Sequence, residues 1–471
     1  MLIQSWSNNM NRRLATISLV ILGLALPIAH ASAAPKPNLL FIIADDCTFR
    51  DIGCYGGQAH TPNINRLATE GLKFNRCFQT APMCSPTRHN IYTGLYPVKS
   101  GAYPNHTFAK PGTKSVVHYL KPLGYRVALS GKRHIATPDI FPFEYSGKKN
   151  PDMQAVNKLF EECSDSNTPF CLFACSNEPH TPWDKGDPSA YPPSKNKLPP
   201  YIADTPFVRQ QFSKYLAEIT YYDSQVGQLL DLLDKHDLRD NTLVMVVSEQ
   251  GNSLPFAKWT CHEMGLGSAM IVRWPGKVKP GTETDAMVEY CDVTPTFVEA
   301  AGGTPAPILD GKSFLPVLLG KTDHHKDVTF GIMTTRGIIN GNDCYPIRSI
   351  RDHKYRLIWN LNSDEPFQNA CTKSKEFQSM LEAAAAGDER AKWATDHYQN
   401  RPEFQLYDVV ADPMEMNNLA ADPKYRHIIA NLKSQLDAWM QDQGDQGIQT
   451  ELDAFNHQTR SLKKKKKRNN R

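Results

Sequence analysis

One cysteine of this chain stands in a pattern that could support covalent catalysis. Cys84 is followed by Pro86 and Arg88, and Thr93 and Gly94 close the same segment. Arg88 comes four residues later, so on a helix its guanidinium could point back towards residue 84. The 11 cysteines are an odd number, which favours one special or unpaired thiol. The alternative is a purely structural role, in which Cys84 is a buried cysteine before a turn-forming proline.

Two pairs of oxygen-bearing side chains each follow an apolar run. Asp45-Asp46 follow residues 38–44, and Glu249-Gln250 follow residues 243–248. Carboxylate and amide oxygens are the ligands that calcium prefers in proteins. Adjacent acids are also common as solvated caps at strand ends, so the prediction of a calcium site depends on both pairs meeting near Cys84.

Basic and imidazole side chains form the third group of candidates. Lys132 and His134 lie in the segment Gly131-Lys132-Arg133-His134, His180 lies in a Pro-rich loop, and Lys258 follows Gln250 by eight residues. Each is weak evidence alone. Together they suit the binding of an oxyanion and the transfer of protons near neutral pH.

The cysteine segment resembles the signature C-x-P-x-R of the formylglycine-dependent sulfatases. In that family a dedicated maturation enzyme converts the cysteine to formylglycine, whose hydrate attacks sulfur with one hydroxyl and expels sulfate with the other. Residues 131–145 and 345–362 resemble the heparan N-sulfatase (sulfamidase) branch. A late turn motif, from Leu406-Tyr407-Asp408 to Asn418-Leu419 and including Glu415, also matches many sulfatases.

The resemblance implies a role for each candidate. Lys132, Lys258 and Arg88 would bind sulfate, while His134 would be the base and His180 the acid, two roles that could be exchanged. The expected calcium ligands are Asp45, Asp46, Cys84, Glu249 and Gln250. Most sulfatases carry Asp-Asn at the last two positions, so both side chains are one methylene longer here, and a shifted backbone or ion is expected.

The substrate is open at this point. The specific hypothesis is a sulfated glycan, such as the sulfamate of N-sulfoglucosamine, with sugar contacts expected from Tyr103, His106, His262 and Arg348. Three alternatives remain. They are an O-sulfatase for another polysaccharide or an aryl sulfate, a phosphonate or phosphodiester hydrolase, and a non-catalytic binder of sulfated glycans.

Short apolar runs that alternate with helical segments predict an α/β sheet that would position these residues. Strands are expected at 38–44, 126–130, 170–175, 243–248 and 268–273, and helices at 61–74 and 207–235. The pattern of predicted elements changes near residue 328. Antiparallel strands are expected at 330–338, 346–351 and 355–360, followed by a helix at 424–440. The family resemblance implies an alkaline-phosphatase-like fold, with a large, mostly parallel mixed sheet between helices and a smaller C-terminal α+β subdomain.

The ends of the chain predict export. Residues 1–34 have the pattern of a cleaved signal peptide, so no membrane anchor is expected after cleavage near residues 31–34. Seven positive charges lie in the last nine residues; without these and the two in the leader, 44 basic and 49 acidic residues give a net charge of −5. A nucleic-acid partner is therefore not expected. The predicted organisation is a leader (1–34), a catalytic domain (35–325), a C-terminal subdomain (326–460) and a basic tail (461–471).

Overall fold

A computed structural model describes residues 36–457 of the chain. These residues belong to one compact unit. The predicted leader (1–34) and basic tail (461–471) lie outside the described residues. Within 36–457, no helix is long and apolar enough to cross a membrane.

Within residues 36–457, the larger sheet has nine strands in the order β4-β3-β5-β1-β6-β7-β2-β8, with β9 paired to β2. Among these nine strands, β7 alone runs antiparallel to its neighbours, which are β6 and β2. The strands are β1 Asn38–Ile43, β2 Leu72–Phe78, β3 Arg126–Gly131, β4 Glu144–Ser146, β5 Phe170–Cys175, β6 Thr242–Val247, β7 Gly267–Arg273, β8 Thr282–Thr284 and β9 Val288–Glu289. The prediction of a large mixed and mostly parallel sheet is confirmed.

Helices cover both faces of this sheet because its central strands are apolar on both sides. In β1, Leu40 and Ile42 pack in one core cluster with Leu216, while Leu39 and Phe41 pack in another with Phe297. The helices are α1 Pro62–Glu70, α2 Cys84–Thr93, α3 Pro97–Ser100, α4 Val116–Leu120, α5 Met153–Ser166, α6 Pro206–Lys235, α7 Glu263–Leu266, α8 Val293–Ala300, α9 Leu315–Leu318, α10 Lys375–Ala385, α11 Glu389–Gln399, α12 Arg426–Gln443 and α13 Ile448–Leu452.

Most predicted elements are found with small shifts at their ends, but the strand expected at 330–338 ends at Met333 and one helix is wrong at its end. The helix expected at 61–74 stops at Glu70, and residues 72–78 form β2. Gly71 ends this helix in an extended conformation, and a Cβ at this position would meet the carbonyl oxygen of Val272 at 2.3 Å. The close approach of β7 therefore requires a glycine at the helix-to-strand junction.

A smaller antiparallel sheet forms the C-terminal part of the fold, in the order β10-β11-β12-β13. Its strands are β10 Thr329–Met333, β11 Ile347–Arg351, β12 Tyr355–Asn360 and β13 Phe404–Asp408. Ile350, Leu357 and Leu406 from this sheet pack against Leu432 and Leu436 of α12. The smaller α+β subdomain is thus confirmed, while its exact boundary stays a prediction.

A buried ion pair joins this sheet to the segment after α12. Arg348 and Asp445 side chains are both fully buried, and Arg348 Nη2 donates to Asp445 Oδ1 at 2.9 Å. We expect Asp445→Ala to lower the free energy of unfolding by about 3 kcal/mol, because it leaves a buried guanidinium without its partner. Urea denaturation measures this change.

The exposed pair Lys433–Asp437 on α12 supplies a matched control. Asp437→Ala should change the free energy of unfolding by less than about 0.5 kcal/mol, since exposed helix pairs contribute little. Equal losses of unfolding free energy in the two variants would show that the buried pair contributes no more to stability than the exposed pair.

Candidate active site

Four adjacent parallel strands, β3, β5, β1 and β6, deliver the predicted site residues to one edge of the large sheet. The register aligns their last residues, which are Gly131, Cys175, Ile43 and Val247. Ligands of open parallel sheets bind beyond the carboxyl ends of the strands. The side chains that follow these ends are Lys132, His180, Asp45, Asp46, Glu249 and Gln250.

Cys84 is the first residue of α2, a helix in which every residue is buried. Pro86 occupies the first helical turn, where a missing backbone N–H is tolerated. Gly94 ends the helix at φ 65°, a left-handed conformation that favours glycine, and its N–H donates to Asn90 O. The segment from Cys84 to Gly94 is therefore one capped helix that fixes the cysteine at its start.

Cys84 lies against the ends of β1 and β6. Its Sγ atom is 3.1 Å from Gln250 Nε2 and 3.7 Å from Asp46 Oδ1. Burial raises the pKa of the Cys84 thiol to about 12. At neutral pH it is thus a protonated thiol, which is a weak nucleophile.

Arg88 lies one helical turn after Cys84, as predicted, and points into the same site. Its Nε atom is 3.0 Å from Glu249 Oε1, with both side chains fully buried. Its Nη1 atom donates to the carbonyl oxygen of Lys132 at 3.1 Å. Arg88 therefore connects α2 to the residues that follow β6 and β3.

The acidic side chains of the site are arranged to receive a cation. Ligand atoms of Asp45, Asp46, Cys84 and Glu249 all lie within 4.8 Å of one another. Asp45 Oδ1, Glu249 Oε2 and Gln250 Oε1 are buried and have no partner among residues 36–457, while Asp45 Oδ2 faces Lys132 and Glu249 Oε1 faces Arg88. Because unsatisfied buried oxygens are costly, this oxygen-rich set fits a bound hard cation.

Two of the acidic residues at this sheet edge have a left-handed backbone. Asp46 and Glu249 have φ angles of 62° and 66°, in the left-handed region that non-glycine residues rarely adopt. Gln250 Nε2 donates to Asp46 Oδ1 at 2.7 Å. The amide nitrogen thus links the two strand ends, and Oε1 remains without a donor.

Two lysines complement the carboxylates. Lys132 Nζ contacts Asp45 Oδ2, and Lys258 Nζ donates to Asp46 Oδ2 at 2.6 Å. Burial lowers the pKa of Lys132 to about 7. Burial also opposes the charged form of Lys258, but Asp46 raises the pKa of that ammonium above its ordinary value.

Two histidines flank these charges. His180 Nδ1 is 2.7 Å from the carbonyl oxygen of Thr181, so Nδ1 carries a proton, and Nε2 lies 3.5 Å from Asp46 Oδ2. Asp46 acts to raise the pKa of His180, but burial and the two lysines lower it to about 4. Burial lowers the pKa of His134 far below its usual value, and its Nδ1 atom has no hydrogen-bond partner.

A cavity of about 670 Å³ opens this site to solvent. Its lining includes Lys132, His134 and His180, together with His106 from the expected sugar contacts. The ring centroids of His106 and His134 are 4.7 Å apart. Of the four expected sugar contacts, His106 is the one that lines this cavity.

The structure places the other three expected sugar contacts in internal hydrogen bonds, outside the cavity lining. The Tyr103 hydroxyl donates to Thr450 O at 2.6 Å, His262 Nδ1 pairs with Glu415 Oε2 at 2.9 Å, and Arg348 binds Asp445. All three side chains are buried within the protein. They connect elements of the fold, and none of them lines the active-site cavity.

Several residues that position the site were not identified from the sequence. Asn150 Oδ1 accepts from Asn177 N and its Nδ2 donates to Glu178 Oε1, both at 2.9 Å, which fixes the loop that carries His180. No sequence signal pointed to Asn150. Arg133 and Tyr145 lie in residues 131–145, a segment noted for its family resemblance. Their position at the cavity depends on the path of the loop after β3, which the sequence does not reveal.

Glu415 ties the loop after β6, which carries Lys258, to the smaller sheet. Glu415 Oε2 accepts from Glu263 N at 2.8 Å, and Oε1 accepts from Arg356 Nε at 2.8 Å. Glu415 lies in the late turn motif, so the sequence contained a signal for it. The C-terminal subdomain thereby supports the active-site loop.

The fold and the site together define an alkaline-phosphatase-like hydrolase whose buried centre suits an oxyanion ester. A family model described as Sulfatase matches residues 37–303, more than half of the chain, and this chain belongs to the sulfatase family. A second model, N-sulphoglucosamine sulphohydrolase, C-terminal, matches residues 251–382. The predicted sulfamidase-like branch is thus confirmed, and the chain is a hydrolase of sulfate esters or sulfamates.

Known relatives agree with this placement. The chain is 33% identical to an ulvan-active sulfatase of Formosa agariphila, over 88% of this chain and 82% of that protein. It is 27% identical to human N-sulphoglucosamine sulphohydrolase, over 88% and 92% of the two chains. A solved structure in complex with its substrate D-glucosamine-2-N,6-O-disulfate shares the fold, with a TM-score of 0.67, 18% identity and coverage of 87% and 99%.

The unsatisfied oxygens predict that calcium stabilises the folded protein. At about one hundred times its dissociation constant, calcium should add about 2.7 kcal/mol and raise the unfolding temperature of metal-free protein by about 3 °C. Asp45→Asn should lose most of this response because it removes a carboxylate ligand, whereas Asp437→Asn, on the exposed face of α12, should keep it. Differential scanning fluorimetry measures the shift; an equal response in all three proteins would contradict the cation site.

Proposed function

We propose that this chain desulfates a sulfated glycan, with a formylglycine made from Cys84 as nucleophile and one calcium ion held at the same site. The observation that carries the proposal is the position of Cys84. It opens a buried helix and lies against Asp46 and Gln250, in the centre of a cluster of three carboxylates and three cationic side chains.

The properties of Cys84 support its conversion to formylglycine. A buried thiol with a pKa of about 12 would attack sulfur poorly. A formylglycine hydrate supplies two hydroxyl groups on one carbon, one to attack sulfur and one to release sulfate. The maturation enzyme that makes this group is therefore a required partner of the chain.

The oxygen set supports calcium as the metal. Asp45, Asp46, Glu249 and Gln250 supply carboxylate and amide oxygens, and several of these accept no hydrogen bond. A bound calcium ion would neutralise charge on sulfate oxygens and polarise the nucleophile. The longer Glu249-Gln250 pair suits this role because the left-handed backbone at Glu249 determines the direction in which both side chains leave the chain.

Arg88, Lys132 and Lys258 form the proposed clamp for the sulfate group. Each of these side chains faces one site carboxylate, so a bound divalent ion would add an excess of positive charge. That excess would attract a sulfate ester or sulfamate and stabilise charge that develops on its oxygens.

We assign proton transfer to the two histidines. His134 has an unpartnered Nδ1 atom and suits the base that removes a proton from the nucleophile during sulfate release. Thr181 O accepts the Nδ1 proton of His180, so Nε2 is the atom that would first take up a proton, against its lowered pKa, and then pass it to the leaving group. Each side chain lines the open cavity, where a substrate can reach it.

The substrate class is proposed from two observations. The relatives include an ulvan-active sulfatase and an N-sulphoglucosamine sulphohydrolase, and both names refer to sulfated carbohydrates. The cavity above the site also has a polar lining of lysine, arginine and histidine. The sulfamate of N-sulfoglucosamine is the first substrate to test, and the expected location of the enzyme is outside the cytoplasm, after export by the leader.

Mass spectrometry of the peptide that contains Cys84 tests the nucleophile. After co-expression with a maturation enzyme, we expect a mass about 18 Da below that of the thiol, as for replacement of CH₂SH by CHO. Cys84→Ala should lower kcat by at least about a thousandfold, and Cys371→Ala, at another buried cysteine, is the control. Full activity with an unmodified Cys84 would overturn the proposal.

The same preparation discriminates between the alternatives. Turnover is measured on N-sulfoglucosamine, an O-sulfated glucosamine, nitrophenyl sulfate and a phosphonate monoester. Turnover of the phosphonate alone would favour a phosphonate hydrolase. Turnover of none by matured protein would leave a non-catalytic binder of sulfated glycans.

A second test separates the two histidines. We expect His180→Asn to reduce kcat by about a hundredfold or more on a sugar sulfate, whose leaving group needs a proton, and only slightly on nitrophenyl sulfate. His397→Asn, at an exposed histidine of α11, should leave both rates unchanged. Equal losses of the His180 variant on both substrates would refute its role as the acid.

A further inference from the structure

The charged lining of the active-site cavity extends beyond the proposed sulfate clamp. Arg133 and Lys148 line the same cavity as Lys132, and both side chains are exposed. The lining contains no aspartate or glutamate among the described residues. A substrate that carries only one sulfate would leave these two outer cations without a counterpart.

Neither outer cation has an ion-pair partner within residues 36–457. Arg133 instead lies over the ring of Tyr145, with its guanidinium carbon 4.9 Å from the ring centroid. The Tyr145 ring is itself packed edge-on against Phe143, at 5.9 Å between centroids. Tyr145 therefore acts as a positioning residue that holds the Arg133 guanidinium at the cavity wall.

The backbone of β4 and of the turn that follows it fixes the position of Lys148. β4 pairs in parallel with β3, with Leu129 aligned to Tyr145 and Ser130 to Ser146. Gly147, at φ 68°, then turns the chain, and a Cβ there would meet Asn150 O at 2.6 Å. The turn thus requires glycine, and it places Lys148 at the cavity while Lys149 lies outside its lining.

We infer that Arg133 and Lys148 form a second anion subsite, so that the preferred substrate carries a further sulfate or carboxylate besides the group that is hydrolysed. This inference rests on the proposed function, because it assigns the substrate class of the same site. Arginine suits this task because its planar fork binds sulfate or carboxylate oxygens with two hydrogen bonds. The subsite selects polyanionic glycans over singly sulfated ones.

Binding to a Cys84→Ser protein tests the subsite without turnover. The probes are N-sulfoglucosamine, D-glucosamine-2-N,6-O-disulfate and a disaccharide of N-sulfoglucosamine with a uronic acid. We expect the Cys84→Ser protein, called the parent below, to bind at least one of the two dianionic probes about tenfold more tightly than N-sulfoglucosamine. Calorimetry at low salt measures this difference in affinity. The disulfate reports a second sulfate, and the disaccharide reports a carboxylate.

In the parent background, the double substitution Arg133→Gln and Lys148→Gln should reduce the preference for the dianionic probe to less than about threefold. Higher salt should also weaken this preference in the parent protein. Lys149→Gln is the matched control and should retain the full preference. A parent protein with no preference, or a double variant that keeps it, would overturn the subsite. A preserved binding preference in a matured protein that turns over none of the sulfates would instead refute the proposed function and leave the subsite standing.

Discussion

The compensation of buried charge at one sheet edge is the constraint on which the rest of this structure depends. Asp45, Asp46 and Glu249 are buried together, and none could remain ionised there without cations nearby. Arg88 and Lys258 supply part of that compensation from a helix and from a loop. Helix α2 and the loop after β6 therefore meet at the same edge of the sheet.

This constraint explains why the smaller sheet is tied to the active site. The loop that carries Lys258 leaves β6 and passes through residues with left-handed backbone, among them Phe256 and Trp259. Such a loop is costly in isolation. Glu415 and Arg356 hold its far end through buried hydrogen bonds, so the C-terminal subdomain stabilises a conformation that the large sheet alone does not enforce.

Much of the fold was predictable because burial on both faces produces a continuous apolar run, as in β1 and β5, whose predicted and observed bounds nearly agree. Asp45, Asp46, Glu249 and Gln250 were predictable because they directly follow such runs, whereas the roles of Arg88 and Lys258 were implied by the family resemblance. The ion pairs of Arg348 and His262 were not predicted, because a buried ion-paired side chain and a ligand-binding one have the same residue type. Asn150 was missed because it acts through tertiary hydrogen bonds that no local pattern records.

The complete burial of α2 also has a consequence for the order of events in the life of the chain. Cys84 is 2% exposed, and no residue of its helix reaches the surface. An enzyme that modifies this side chain would have to reach it through the packed helix. On the proposed function, the conversion of Cys84 would therefore precede the packing of α2 into the core, and faster folding would leave less time for it.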